Sequence, residues 1–362
     1  MKVNVIILCL FVILSGVGSD LNAQQSRKAN IAVIQAPSSP RQDFFMPDSD
    51  IGKVRPQMLD HVNNLLFLFD KAGQKGADMV VGPEDMQNIG AYGLHIDVID
   101  PESGKILFNS LAEPVPGTLT DRIAAIAREH QMYIIAPIYE VDGEDVYNTA
   151  VIFDRQGNIM GKHRKTIIPV LETWLVSTGD EYQVYQTDFA PIAIATCWEI
   201  SYPEIPAIYA LKGADMILNP TMARDHRPGE SLDTAPTLIT RARDHSVYIV
   251  PVVLGSDGNG ILDFNGDVVA ESVGVENTVI MAEIDFSRER THQSLWWETI
   301  DGTNNTRAMM MKSRRPELFQ MITDPNPPIL DRYNEIQLTT GDPERQLNAV
   351  RKVDYGPNAD EN

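Results

Sequence analysis

The chain has 362 residues, 43% of them hydrophobic, and carries 50 acidic against 30 basic side chains for a net charge of -20. That acidity argues against nucleic acid or an anionic membrane surface as partner, while the apolar fraction can fill a large core. No Pro/Ser-rich or Gly/Ser-rich linker divides the middle, which favours one large α/β domain over two average ones.

At the start, Lys2 precedes an apolar run from Val3 to Val17, and Ala23 closes the segment. This reads as a secretory signal peptide over residues 1–23, too short and too weakly flanked for a committed membrane anchor. Leu21 is larger than the residue usual at that distance from the cut. The reading makes the protein exported, periplasmic or extracellular. It has no stable membrane insertion, because no later apolar run approaches the roughly 20 residues that span a bilayer. Cys9 leaves with the leader, so the exported chain keeps Cys197 alone and has no intramolecular disulfide.

An apolar strand runs from Ala29 to Pro37, and a loop rich in Pro, Ser and Asp continues to Pro56. From Gln57 to Gln74, Met58, Val62, Leu65, Leu66 and Phe69 recur at helical spacing, and Gly73 and Gly76 close the helix. The strand DMVVGPE ends at Glu84. The segment from Asp85 to Pro116 is long for a connection. Met86, Asn88 and Tyr92 within it are candidate pocket-lining residues, with a plain surface loop as the equal alternative. Thr118 or Thr120 caps a helix to His130 whose buried stripe includes Ile123, Ile126 and Ala127.

MYIIAPIYE follows as a strand, then VYNTAVIFD, RQGN and IMGKHRK as a hairpin turning on Gly157 and Asn158. PIAIATC is a strand ending at Cys197, Glu204 to Lys212 is helical, DMILNP is a strand, and a longer helix spans Asp233 to His245. VYIVPVVLG, the hairpin GILDFNGDVVAES and the strand ENTVIMAEIDF complete the core. Hairpins mixed with crossovers predict a single-domain α/β fold, a four-layer α-β-β-α sandwich with two facing mixed sheets and no internal sequence repeat. This domain covers residues 24–323, and residues 324–362, rich in Pro, Asn and charge, form an extended or disordered tail.

Glu84, Lys165 and Cys197 share one position type, the end of an apolar strand, and strand ends converge at a common rim. Taken singly, each has an ordinary role: a solvated loop acid, part of a basic turn with Lys162, His163 and Arg164, and a small core residue. Core burial does not explain why the chain turns abruptly polar after Cys197, in WEISYPE. That switch fits a strand-to-helix elbow holding a thiol at the rim, with backbone N–H groups facing an oxyanion.

Three blocks in order, VVGPEDM, GKHRKTIIP and ATCWEISYPE, resemble the nitrilase superfamily of carbon-nitrogen hydrolases. NTAVIFD, KGADMILNPT, RARDHSVYIVPV and RRPELF extend the likeness from Asn30 to Phe319. The resemblance implies Cys197 as nucleophile, Glu84 as base, Lys165 as catalytic cation and Glu172, in PVLETW, as the carboxylate supporting that lysine. It implies hydrolysis of a small-molecule amide or nitrile to the acid and ammonia through a cysteine thioester, with the N–H of Trp198 joining Lys165 at the developing charge. The alternatives are acyl transfer to an amine acceptor on the same scaffold, or a catalytically silent binding protein, which would have no need of all four residues.

No metal or organic cofactor is required, and the seven His show no paired ligand spacing. Cys-Trp-Glu and the run Thr178 to Asp180 resemble the nitrile-cleaving branch, whereas Tyr202-Pro203-Glu204 is closer to amidase-like branches and His245 stands where many members have Asn. Family members pair through helices near the elbow. Glu204 to Lys212 and the Asp233 helix are therefore interface candidates for a homodimer or higher homo-oligomer, and Trp296 and Trp297 cover the rim or an interface.

Overall fold

The computed structural model describes residues 27–37, 51–90, 98–169, 172–222, 225, 229–255, 257–275, 277–291 and 305–333. The leader, Tyr92, Trp296, Trp297 and the tail beyond residue 333 lie outside the described residues.

Two six-stranded sheets carry the fold. One lays out β12 (Thr278–Asp285), β1 (Lys28–Gln35), β2 (Met79–Val81), β3 (Tyr133–Asp142), β4 (Asp145–Phe153) and β5 (Ile159–Arg164) in that order. The other runs β6 (Tyr185–Gln186), β7 (Pro191–Ile194), β8 (Met216–Thr221), β9 (Tyr248–Val253), β10 (Gly260–Leu262) and β11 (Val268–Glu271). Both read as antiparallel, parallel, parallel, antiparallel, antiparallel from their first strand. The chain therefore repeats one topology twice although its sequence shows no repeat, because burial constrains the apolar pattern and not the residue identities.

The period-2 alternation of strand side chains builds the layers. In β1, Ile31 and Val33 face the second sheet and pack with Ile192, Leu218 and Val250, while Ala32 and Ile34 face outward onto the helices. Helices Ile51–Gln74 and Thr118–His130 cover that outer face through Leu65, Phe69, Leu119 and Ile123. Helices Glu204–Leu211 and Pro236–His245 cover the second sheet through Ile205, Tyr209 and Leu238. The result is the expected α-β-β-α sandwich. Among the described residues no helix is long and apolar enough to cross a membrane.

Several element boundaries differ from the sequence reading. The first helix begins at Ile51 and contains Pro56, because Val54 is buried against Leu107 and Phe108, and that packing outweighs the missing proline donor. The helix expected from Asp233 splits into a 3-10 turn, Leu232–Thr234, and a helix starting at Pro236. Proline at the first helical position bars Ala235 from helical geometry, and Ala235 sits at φ -89°, ψ 87°. The segment after Glu84 is not all loop, since Leu107–Leu111 is helical and packs with Ile89 and Tyr139. Residues 324–333 of the expected tail end in a 3-10 segment, Pro328–Tyr333.

The strands stop short of the candidate site residues. Glu84 lies beyond β2, Lys165 follows β5 directly, and Cys197 lies beyond β7 and opens a 3-10 helix, Cys197–Ser201. Phe69 supports the first of these turns from below: a Cβ placed on Gly82 would lie 3.0 Å from the tip of its ring. Phe69→Ala should lower stability by about 3–5 kcal/mol, read as the urea midpoint at unchanged m-value. A loss below ~1 kcal/mol would show that this turn does not depend on the helix beneath it.

Candidate active site

The Lys165 side chain is fully buried, and its Nζ donates to Glu84 Oε1 at 3.0 Å and to Glu172 Oε2 at 2.9 Å. Burial alone would push this ammonium toward neutrality, but the pull of Glu84 and then Glu172 wins and holds its pKa well above the usual lysine range. The Glu172 carboxyl is raised as well, for the opposite reason: burial pushes it up, opposed by Lys165, while the Tyr139 hydroxyl donates to it. The backbone fixes the trio by short reaches. The Lys165 N–H bonds the Asn148 carbonyl at 2.8 Å, and Glu172 begins a turn whose N–H bonds the Pro169 carbonyl at 2.8 Å.

Glu84 is wholly buried, and Asn148 Nδ2 donates to its Oε1 at 2.8 Å, so that oxygen takes both of the carboxylate's contacts. Its other oxygen, Oε2, has no hydrogen-bond partner among the described residues. A buried carboxylate oxygen left open is uncommon and is an available proton acceptor. The loop that follows is pinned, with Asp85 accepting from the N–H groups of Ile89 at 2.9 Å and Gly90 at 2.8 Å, and Gln87 exchanging bonds with the Tyr139 backbone.

Cys197 adopts φ 52°, a left-handed conformation unusual for a residue with a side chain. That twist turns the chain from β7 into the 3-10 helix and leaves the residue half-buried. Burial pushes the thiol up to about 12, the charge of Glu84 pushes the same way, and Lys165 opposes both, with the Thr221 hydroxyl and the Met222 N–H donating toward the sulfur. At neutral pH the thiol is therefore protonated, and its proton has to be taken during any attack.

Cys197 also borders a cavity of about 240 Å³ whose walls include Trp198, Ile200, Asn219, Leu238, Pro251 and Val253. Cys197 is thus the residue shared by the open cavity and the buried charge cluster. Of the expected pocket residues, Trp198 lines this cavity with its ring edge-on to Tyr202. Met86 does not: it is fully buried in the layer between the first sheet and its helices, where the chain folds it back under Gly82. Asn88 is buried in the pinned loop and does not border the cavity either. Asp225 forms one wall, its carboxylate accepting from the N–H groups of Thr237 at 2.7 Å and Leu238 at 3.1 Å at the start of the helix behind.

Sequence reasoning missed two residues. Asn148 sits in the hairpin block NTAVIFD, and Glu199 in Cys-Trp-Glu, with nothing local that marks either as a site residue. Glu199 is wholly buried and takes four donors: the Thr196 N–H at 2.6 Å, the Thr166 N–H at 2.8 Å, the Thr166 hydroxyl at 2.7 Å and His163 Nε2 at 2.8 Å. Burial would raise its carboxyl, yet His163 and these donors hold it below the usual range. Thr196 precedes Cys197 and Thr166 follows Lys165, so one carboxylate ties the elbow to the lysine turn. The available signal was position: an acid two residues past a strand-end cysteine, on a chain whose basic block contains a histidine.

The four layers and a buried lysine–carboxylate cluster at their rim define an enzyme of the α-β-β-α hydrolase class. More particularly, the chain belongs to the carbon-nitrogen hydrolase family, whose family model matches residues 30–293. Among curated relatives, the omega-amidase NIT2 of Xenopus tropicalis is 28% identical over 256 residues, covering 64% of this chain and 85% of that protein. The bifunctional nitrilase/nitrile hydratase NIT4B of Lupinus angustifolius is 35% identical over 176 residues, 46% of this chain and 49% of its own. The fold matches that of an amidase from Nesterenkonia sp. with a TM-score of 0.56 at 16% identity, over 81% of this chain and 95% of that one. It also matches Nit3 of Saccharomyces cerevisiae, described as a member of branch 10 of the nitrilase superfamily, with a TM-score of 0.52 at 21% identity over 71% and 90% of the two chains.

Two outcomes follow. Glu199→Gln, which places an amide N–H₂ among four donors, should lower kcat about ten- to hundred-fold with KM little changed; an unchanged kcat would show that the tie is dispensable. Because the thiol is pushed up, alkylation of Cys197 by iodoacetamide should keep accelerating above about pH 10, where an ordinary thiol has levelled off. A plateau by about pH 10 in mass-spectrometric kinetics would contradict that environment.

Proposed function

We propose that this protein hydrolyses a small amide or nitrile to the carboxylic acid and ammonia through a thioester on Cys197. The observation that carries the reading is Glu84 Oε2, buried and unpartnered, coupled to a thiol that retains its proton. In this reading Glu84 takes the thiol proton as sulfur attacks the carbonyl carbon. The oxyanion forms beside the Lys165 ammonium and the Trp198 N–H. The C–N bond then breaks, ammonia leaves with the proton from Glu84, and the acyl group remains on sulfur. Water, deprotonated by Glu84, adds to the thioester, and the acid leaves as the sulfur regains a proton. With a nitrile, one further water enters at the thioimidate stage before ammonia departs.

Support comes from both kinds of relative, since one is named an omega-amidase and another a bifunctional nitrilase/nitrile hydratase. The cavity suits a small substrate, its walls combining apolar Ile200, Leu238 and Val253 with polar Asn219, Thr221 and Asp225. Glu172 acts by holding Lys165 charged and in place. We further propose export through the leader of residues 1–23 and pairing of two copies through the helices Glu204–Leu211 and Pro236–His245.

Ammonia release across amides, nitriles and carbamoyl compounds identifies the substrate. On the best of these, Cys197→Ala should abolish turnover and Glu84→Gln should lower kcat at least a thousand-fold. Lys165→Met should cost on the order of 3 kcal/mol of transition-state stabilisation, about a hundred-fold or more. Full hydrolysis by the Cys197→Ala protein would sink the reading.

A further inference from the structure

The cavity beside Cys197 has a charge on its wall. Among the described residues that border it, Asp225 is the one carboxylate and none is a cation. Lys165 is committed to Glu84 and Glu172, and Arg241, on helix Pro236–His245, donates to the carbonyls of Ile200 at 3.1 Å and Ser201 at 2.9 Å. Whatever fills the cavity beyond the sulfur therefore meets a negative field from these walls.

Asp225 is held so that one of its oxygens stays open. The bonds from the N–H groups of Thr237, at 2.7 Å, and Leu238, at 3.1 Å, both end on Oδ2. Oδ1 accepts from none of the described residues, no basic side chain among them pairs with the group, and the residue is half-buried. Capping explains the Oδ2 bonds but not the charge, because a neutral Ser, Thr or Asn caps a helix about as well. When a substrate displaces water from a cavity walled by Asp225 and the apolar Ile200, Leu238 and Val253, the open oxygen loses hydration. That loss is unfavourable unless the substrate brings N–H donors or a positive charge. The Trp198 ring, 39% exposed on the same cavity, favours the same sign, since an aromatic face attracts a cation.

We propose that Asp225 sets the substrate class: the amide or nitrile hydrolysed at Cys197 carries an ammonium group at its far end, which donates to Asp225 Oδ1 and lies against the Trp198 ring. Short ω-amino amides and ω-amino nitriles meet this description, whereas half-amides of dicarboxylic acids bring like charge to Asp225. The inference rests on the hydrolysis reading given above and narrows it.

The test compares, at neutral pH, ω-amino amides of two to five methylene groups with amides of the same length that end in a methyl group or in a carboxylate. For the best length, kcat/KM of the amino amide should exceed that of the methyl-ended amide at least tenfold, with the carboxylate-ended amide poorer than both. Asp225→Asn keeps an acceptor for the two N–H groups and should lower the ratio of amino to methyl-ended amide at least tenfold, chiefly through KM. Asp225→Lys should turn the preference toward the carboxylate-ended amide. Loss of the helix cap alone would slow all three substrates alike and leave their ratios where they were. Calorimetry with the Cys197→Ala protein reads the same contact without turnover: the amino amide should bind, and adding Asp225→Asn should weaken it at least tenfold. Turnover with equal kcat/KM for the three amides, or a ratio unchanged in Asp225→Asn, overturns the role of Asp225 and leaves the hydrolysis reading intact. Neither ammonia release from any of these amides and the matching nitriles nor calorimetric binding overturns both.

Discussion

A buried ammonium is tolerable only among carboxylates, and Lys165 is the group around which the rest of this site is arranged. Removing its charge from water costs several kcal/mol, which two carboxylates within 3.0 Å offset. Meeting that requirement brings together the turn beyond β2, which carries Glu84, the turn after β5, and the short turn that begins at Glu172. Asn148 on β4 occupies the remaining reach of Glu84 Oε1. With Oε1 committed, Oε2 is the carboxylate oxygen left without a partner among the described residues, as the proposed proton exchange with the thiol requires.

The thiol is delivered from the other sheet, so the site depends on how the two sheets are tied at one rim. Glu199 makes that tie, with bonds to Thr196 beside the thiol and to His163 and Thr166 on either side of the lysine. The left-handed backbone at Cys197 lies between two of the bonded residues, Thr196 and Glu199. The strained backbone at Cys197 thus stands beside a buried carboxylate fixed by four donors. The cavity begins where these constraints end, at the half-buried cysteine itself.

Much of this was legible in the sequence. The strand alternation that sends Ile31 inward and Ile34 outward reads directly from ANIAVIQ, and the places of Glu84, Lys165 and Cys197, just past strand ends, follow to within three residues from where apolar runs stop. What did not read out were effects that depend on tertiary partners. The helix start at Ile51 rests on Val54 meeting Phe108, and the two-fold repetition of sheet topology leaves no trace in residue identity. Met86 follows Glu84 by two positions, which suggests a pocket residue, but its sulfur lies beside Gly82 in the apolar cluster that also holds Phe69. Asn148 and Glu199 carried no local anomaly, since a polar residue in a hairpin or after a cysteine is ordinary until its partner is known. The helical stripe from Met58 to Phe69, by contrast, needs no partner to be recognised; the helix Thr118–His130 also appears, but its N-cap is Gly117, whose N–H donates to Thr120, and not Thr118 or Thr120 itself.

The measurement that bears most directly on this arrangement is acid quenching of the enzyme during turnover, followed by mass spectrometry of its peptides. The account predicts an added acyl mass, matching the substrate less ammonia, on the peptide containing Cys197. Steady turnover with no such adduct, or with the acyl group on any other side chain, would contradict it.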